Sequence, residues 1–362
     1  MKRNKEKGNI VLRTAKIRRI AAAMAAALVL FSAGGMTALG MPPRVTIEKT
    51  VDTGKDGDKV QLPKTTFTFS IKPEGEAGKL IKSITNEKGE TIAVYGGVDG
   101  GLYLWNNGTL RVSPEDKGVK GFLYAELNTD SYEDLKPGVY RYSLTEEKGD
   151  CDGMQYSDDK YYLDVYVMYS KWDGFNLYPA ITVWKADPAG RSEKKVDEIK
   201  FVNNYTTHSV SLKKQVEGNQ GDTKRKFEFT VKVNGQEGEK FTTDYKDGQG
   251  NTLVLDSGTE AKIFLGHDET VTIYGLSPKD TYEFSEISYG DDGYKTEING
   301  ADEKDGLTAK GNVSDGEDAV IYINKKNITT PTGVVTYYGP YALLILASGA
   351  VSVMFLRRRR ER

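Results

Sequence analysis

Three residue types recur in one order along this chain, and together they can make an amide bond. Lys49 lies in the alternating run Val45 to Val51, where Val45, Ile47 and Val51 share its face. Successive strand side chains point to opposite faces, so parity separates core from solvent. Val210, Leu212 and Val216 likewise share a face with Lys214, while Lys213 points away. Further on, Tyr140, Tyr142 and Leu144 carry Glu146 inward, and Tyr282 and Phe284 do the same for Glu286. Ile199 and Phe201 share parity with Asn203, and Tyr322 with Asn324, although Ile321 and Ile323 lie on the opposite face. An amine, an acid and a carboxamide are thus expected inside each of two repeated units.

Burial disfavours both the ammonium and the carboxylate, so the pair can become neutral. A neutral lysine amine is a nucleophile. A protonated glutamic acid can polarise the asparagine carbonyl and move protons. Attack with loss of ammonia would leave a Lys–Asn amide. Each residue alone also has a plain structural explanation. A single inward lysine can protect an edge or snorkel to water, and an inward Lys–Glu pair can be a buried salt bridge. What favours the chemical reading is the same set of three appearing twice.

These residues need strands to hold them. From Arg44 onward the chain is made of short alternating runs, such as Phe67 to Ile71, Tyr161 to Val167 and Phe227 to Val233. No helical period is sustained. Asn107-Gly108 and Asp173-Gly174 stand between such runs and predict hairpin turns. The expected fold is all-β: two tandem, immunoglobulin-like antiparallel sandwiches, 44–206 and 207–328, joined by a very short connection at Thr206 to His208.

Composition narrows the function. There are only two histidines, His208 and His267, and one cysteine, Cys151. No metal-ligand spacing, cofactor motif or internal disulfide is available. The Asp-rich turn Asp52 to Asp58 lacks a calcium-loop spacing. Residues 1–40 carry +7 and residues 333–362 carry +4 of a total of −2, so the part between carries −13. That acidic surface argues against nucleic acid. Enzymatic turnover is disfavoured by the scarcity of histidine and the absence of a nucleophile motif.

Both ends read as targeting segments. Residues 1–40 combine a basic start, an apolar stretch from Ile20 to Phe31 and the small-x-small site Ala38-Leu39-Gly40, which describes a signal peptide. At the other end, residues 334–356 are apolar and uncharged, long enough to cross a bilayer as a helix. Arg357 to Arg360 and Arg362 follow, a basic cluster held on the cytoplasmic side. Pro331-Thr332-Gly333, this span and the arginine tail resemble a cell-wall sorting signal, although the usual residue between Pro and Thr is missing. The resemblance implies a sortase that cuts Thr332–Gly333 and passes the Thr332 carbonyl to an amine. A plain membrane anchor after a proline turn is the alternative.

The ordered set of Lys49, Thr145-Glu146 after a Tyr-rich strand, and Phe201-Val202-Asn203 is similar to the self-cross-linking pilin domains of Gram-positive bacteria. With Leu62 to Phe69, Pro137 to Tyr142 and Asn324-Lys325-Lys326 ahead of Pro331, the chain resembles a two-domain, streptococcal-type backbone pilin. The resemblance implies bonds Lys49–Asn203 and Lys214–Asn324, promoted by Glu146 and Glu286. Tyr322 for Phe and Ser285 for Thr depart from the pattern in the second domain. The resemblance also implies an acceptor lysine shortly before the closing strand of the first domain, Lys195 or, second, Lys194. Its implied partners are a sortase and neighbouring pilin subunits or a peptidoglycan cross-bridge, with the membrane holding the precursor at residues 334–356. A monomeric wall- or membrane-anchored adhesin or stalk, with a host surface ligand, is the competing expectation.

Overall fold

The computed structural model describes residues 43–328 apart from 86–88, 115–119, 169–179, 189–191, 303–306 and 314–316, together with the helical residues 341, 344, 345 and 348. The signal peptide expected over 1–40, the Pro331-Thr332-Gly333 motif and nearly all of the span expected over 334–356 lie outside the described residues, as does Asp173-Gly174. No helix among the described residues is long and apolar enough to cross a membrane.

The alternating runs form two tandem sandwiches. In the first, one sheet orders Leu102–Leu104, Lys120–Leu127, Arg44–Asp52, Ile199–Tyr205 and Met154–Gln155. The facing sheet orders Glu193–Val196, Ala180–Ala186, Lys160–Val167, Gly138–Glu147, Thr65–Pro73 and Thr109–Val112, and the hairpin Leu80–Thr85/Thr91–Gly96 joins it at Gly138–Glu147. The inward residues of both sheets meet in one core that includes Ile47, Val51, Phe67, Phe69, Leu144, Leu163 and Phe201. The second sandwich has a seven-stranded sheet centred on His208–Glu217 and Glu317–Lys325. It faces a four-stranded sheet of Glu260–Leu265, Phe227–Asn234, Thr281–Glu286 and Thr308–Asn312.

Two details depart from the sequence expectations. The sheets are not purely antiparallel: in each domain the opening strand lies beside the closing strand and parallel to it. A parallel pair needs a long return connection, and here almost the whole domain supplies it. Asn107-Gly108 is also not a hairpin turn. Asn106, Asn107 and Gly108 all have positive φ and carry the chain from Leu102–Leu104 in one sheet to Thr109–Val112 in the other. A Cβ at Gly108 would lie 2.4 Å from the Phe69 carbonyl oxygen, so glycine is required there by space as well as by φ.

The closing strand of the first domain ends at Tyr205 and the opening strand of the second starts at His208. Across this joint Tyr205 Oη and Ser277 Oγ share a hydrogen bond of 2.9 Å, and Lys279 N donates to Asp152 Oδ2 at 2.9 Å. Thr242 Oγ1 donates to the Lys59 carbonyl, and Lys59 Nζ lies over the Tyr274 ring. Because the opening and closing strands run the same way, each domain takes the chain in at one pole and releases it at the other.

Candidate functional site: two buried Lys–Glu–Asn sets

In the first domain Lys49 sits mid-strand and is 1 % exposed, so its ammonium has no route to water. Its Nζ donates to Glu146 Oε2 at 2.9 Å, and Asn203 Nδ2 donates to Glu146 Oε1 at 2.8 Å. One carboxyl group therefore bridges amine and carboxamide. The Ser157 backbone N–H donates to Asn203 Oδ1 at 2.8 Å. Phe67 lies 4.6 Å below Nζ, and Phe69, Tyr161 and Phe201 pack ring to ring around the group.

The second domain builds the same set. Lys214 and Asn324 are fully buried, and Glu286 stands between them. Lys214 Nζ is 2.8 Å from Glu286 Oε1, and Asn324 Nδ2 donates to that same oxygen at 2.9 Å. The lysine contact is close but poorly angled, so Nζ has an ionic neighbour and no well-formed hydrogen bond. Thr296 Oγ1 donates to Asn324 Oδ1 at 2.8 Å and lies 3.3 Å from Glu286 Oε2. Phe227, 4.6 Å from Nζ, repeats Phe67, and Phe229 against Tyr322 repeats Phe69 against Phe201.

The equivalence extends to strand register. Glu146 is opposite Phe69 and Glu286 is opposite Phe229. Tyr322, the departure noted in the sequence, keeps its ring in the core and its hydroxyl satisfied, donating to the Phe284 carbonyl at 2.7 Å. The split parity of that strand is settled by burial: Val320, Tyr322 and Asn324 face the core, while Ile321 and Ile323 are half-buried.

Burial dominates the electrostatics. It pushes the Lys49 ammonium below its ordinary pKa against the opposing pull of Glu146. Lys214 is brought down to about 8 by burial, again opposed by Glu286. Glu286 is itself pushed up by burial, with Lys214 opposing. Both partners of the second pair thus move toward neutrality, because a buried ion pair recovers little of its desolvation cost. Proton transfer from lysine to glutamate would leave a neutral amine beside a carboxamide.

Lys194 and Lys195 occupy the edge strand Glu193–Val196, and both are exposed. That strand lies just before Ile199 in the sequence and pairs with Ala180–Ala186 at the edge of its sheet. It is fastened by a network that sequence reasoning missed. Arg141 is buried on the side of its strand turned away from the main core and donates to Asp164 at 2.6 and 2.7 Å. It also donates to Glu193 at 2.5 Å, and Lys82 donates to Glu193 at 2.7 Å. Ser157 and Thr296 were missed too. A backbone N–H leaves no mark in a sequence, and Thr296 is one threonine among many until its strand is paired with the one bearing Asn324.

Residues 45–206 match the domain family described as the Spy0128-like isopeptide containing domain. The first domain is thus similar to a family of isopeptide-containing domains. Residues 208–326 match a family described as a domain of unknown function (DUF7601). A pilin of Streptococcus pyogenes serotype M1 is 24 % identical over 335 residues, which is 87 % of this chain and 91 % of that protein. The pilus tip adhesin Cpa of Streptococcus pyogenes is 29 % identical over 130 residues, 36 % of this chain and 18 % of the adhesin. The crystal structure of the major pilin from Streptococcus pyogenes has a TM-score of 0.56 at 24 % identity, covering 79 % of this chain and 99 % of that one. The major pilin T3.2 of the same species has a TM-score of 0.57 at 23 % identity, covering 79 % and 98 %. These two structures share the fold of this chain.

Proposed function

We propose that the chain is a structural subunit of a sortase-assembled surface pilus, stiffened by two self-formed amide cross-links. The observation that carries this reading is the doubled Lys–Glu–Asn set bridging the parallel opening and closing strands of both sandwiches. Its relatives are pilus proteins, so other pilus subunits at the cell surface are its partners.

In each domain the lysine ammonium passes a proton to the bridging glutamate, leaving a neutral amine and a carboxylic acid. Nζ attacks Cγ of the asparagine, and the C–Nζ bond forms as the carbonyl π bond opens. The glutamic acid delivers its proton to Nδ2, and a proton from the attacking nitrogen returns to the carboxylate. The C–Nδ2 bond then breaks. Ammonia leaves, and a Lys–Asn amide remains between first and last strand. In the chain-entropy picture, a link closing a loop of this length stabilises by about 5 kcal/mol, by analogy with a disulfide. Under tension the parallel strands are loaded in shear, and the amide carries the force in place of their hydrogen bonds.

For polymerisation, Thr332 supplies the acyl group, and Lys195, or Lys194 beside it, supplies the amine. Supporting this is the exposure of both lysines on an edge strand, where an acyl group can reach them. The membrane-spanning helix over 334–356 would hold the precursor until Thr332–Gly333 is cut. The mass of recombinant residues 41–332 tests the cross-links: two ammonia fewer than the translated sequence is expected. One should return in Lys49→Ala and one in Glu146→Ala, after allowing for the substitution. A mass equal to that of the translated residues would end this reading. The similarity to a tip adhesin favours a second reading, a wall-anchored adhesin that does not polymerise. A ladder of SDS-resistant multimers in wall extracts separates the two.

A further inference from the structure

We propose that the Thr296 hydroxyl is a catalytic residue for the second cross-link, holding the Asn324 carbonyl oxygen as negative charge gathers on it. This rests on the reading that Lys214 condenses with Asn324.

Thr296 lies directly opposite Asn324 on the neighbouring antiparallel strand. Its single hydroxyl proton has two acceptors within reach, Asn324 Oδ1 at 2.8 Å and Glu286 Oε2 at 3.3 Å. One proton serves one acceptor well, and the shorter contact is to the carbonyl. The longer contact then becomes favourable when Glu286 holds a proton on Oε2 and donates it to Thr296 Oγ1. The result is a relay from the glutamic acid through Oγ1 to the carbonyl oxygen. Glu286 cannot polarise that oxygen itself through Oε1, because Oε1 already accepts from Asn324 Nδ2 at 2.9 Å.

During attack the carbonyl oxygen becomes an oxyanion, and a donor already in place needs no reorganisation. Thr296 holds the oxyanion by hydrogen bonding alone and keeps its proton. Glu286 then gives its proton to Nδ2 and recovers one from Nζ, so the carbonyl re-forms as ammonia leaves. The first domain has a donor at the equivalent position, the Ser157 N–H, 2.8 Å from Asn203 Oδ1. A main-chain amide in one domain and a side-chain hydroxyl in the other serve one geometric place. That recurrence points to a requirement of the reaction, beyond the general need of a buried carbonyl for a donor.

The full-length chain, made by cell-free synthesis in detergent and quenched in denaturant at intervals, allows a direct test. After digestion, the branched peptides joining Lys214 to Asn324 and Lys49 to Asn203 are quantified from the same sample. Thr296→Val should slow the first by about 100-fold, the range for loss of one oxyanion donor, and leave the second unchanged. Thr296→Ser should return the rate to within a few-fold of the unmodified chain. If Thr296→Val fails to fold, Thr296→Cys, with its weaker donor, should give an intermediate rate. A Lys214–Asn324 bond forming at the ordinary rate in Thr296→Val, or in Thr296→Cys where it replaces Val, overturns the role of Thr296 and leaves the cross-link standing. Absence of both branched peptides from the unmodified chain overturns the cross-link itself.

Discussion

Lys49 and Asn203 lie on adjacent parallel strands with a two-residue stagger: Lys49 is opposite Phe201, and Asn203 is opposite Val51. Lys214 and Asn324 repeat this, with Lys214 opposite Tyr322 and Asn324 opposite Val216. A stagger of two keeps both side chains on one face and separates their Cα atoms along the strand by about 7 Å. An extended lysine spans such a distance, so amine and carboxamide meet without distortion of either strand. With no stagger the lysine would overshoot, and a stagger of one would put the partners on opposite faces.

Glu286→Gln keeps the size of the bridging group and removes its ability to take a proton. The Lys214–Asn324 amide should fail to form while Lys49–Asn203 forms normally. The mass should therefore show one ammonia lost instead of two. Lys214 would remain a buried amine without its acid, costing about 3–5 kcal/mol on top of the missing link. Calorimetry should show the second domain melting well below the first.

Cross-linking should depend weakly on pH near neutrality. Lys214 is brought down and Glu286 pushed up by burial. The reactive neutral pair therefore arises by proton transfer inside the site, with no net exchange with solvent. Rates of amide formation between about pH 6 and 8 should vary by no more than a few-fold. A steep rise toward alkaline pH would mean that the lysine must first lose its proton to water.

The second domain should lose stability as pH rises, through two buried carboxyls: Glu239 accepts from the Gln236 N–H and Asp280 from the N–H of Ser277 at the joint. Burial, helped by the charge of neighbouring Asp280, pushes the Glu239 carboxyl up to about 7. Burial likewise raises Asp280 to about 6, with Asp152 adding to it. Folded values above the ordinary ones mean that the stabilising contribution is complete below about pH 4 and is lost as pH climbs through about 7. Glu239→Gln should flatten that decline, which thermal melts from pH 4 to 8 would reveal.

Arg141→Ala should loosen the strand that carries Lys194 and Lys195. It leaves Asp164 buried with no guanidinium, a loss of about 3–5 kcal/mol, and frees Glu193 from one of its two cations. Amide hydrogen exchange should rise across 193–196 and stay unchanged in the second domain. Lys195→Ala, in contrast, should leave stability unaltered and abolish the multimer ladder; an unchanged ladder shifts the acceptor role to Lys194.

Strand parity alone turned Lys49, Lys214, Glu146, Glu286 and Asn203 inward, because alternation is a local property of an extended chain and apolar neighbours mark the buried face. Composition alone removed metals, cofactors and disulfides from the expectations, and the repeat of Val45 to Val51 at Val210 to Val216 announced two domains. Other features depend on which strands become neighbours, which is decided by long-range packing. The parallel pairing of first and last strands, the two-residue stagger, the Ser157 and Thr296 donors and the Arg141–Asp164 pair all belong there. Asn107-Gly108 shows the boundary well: its positive φ was legible, but whether the chain turned back or crossed to the other sheet was decided by the Phe69 carbonyl against Gly108.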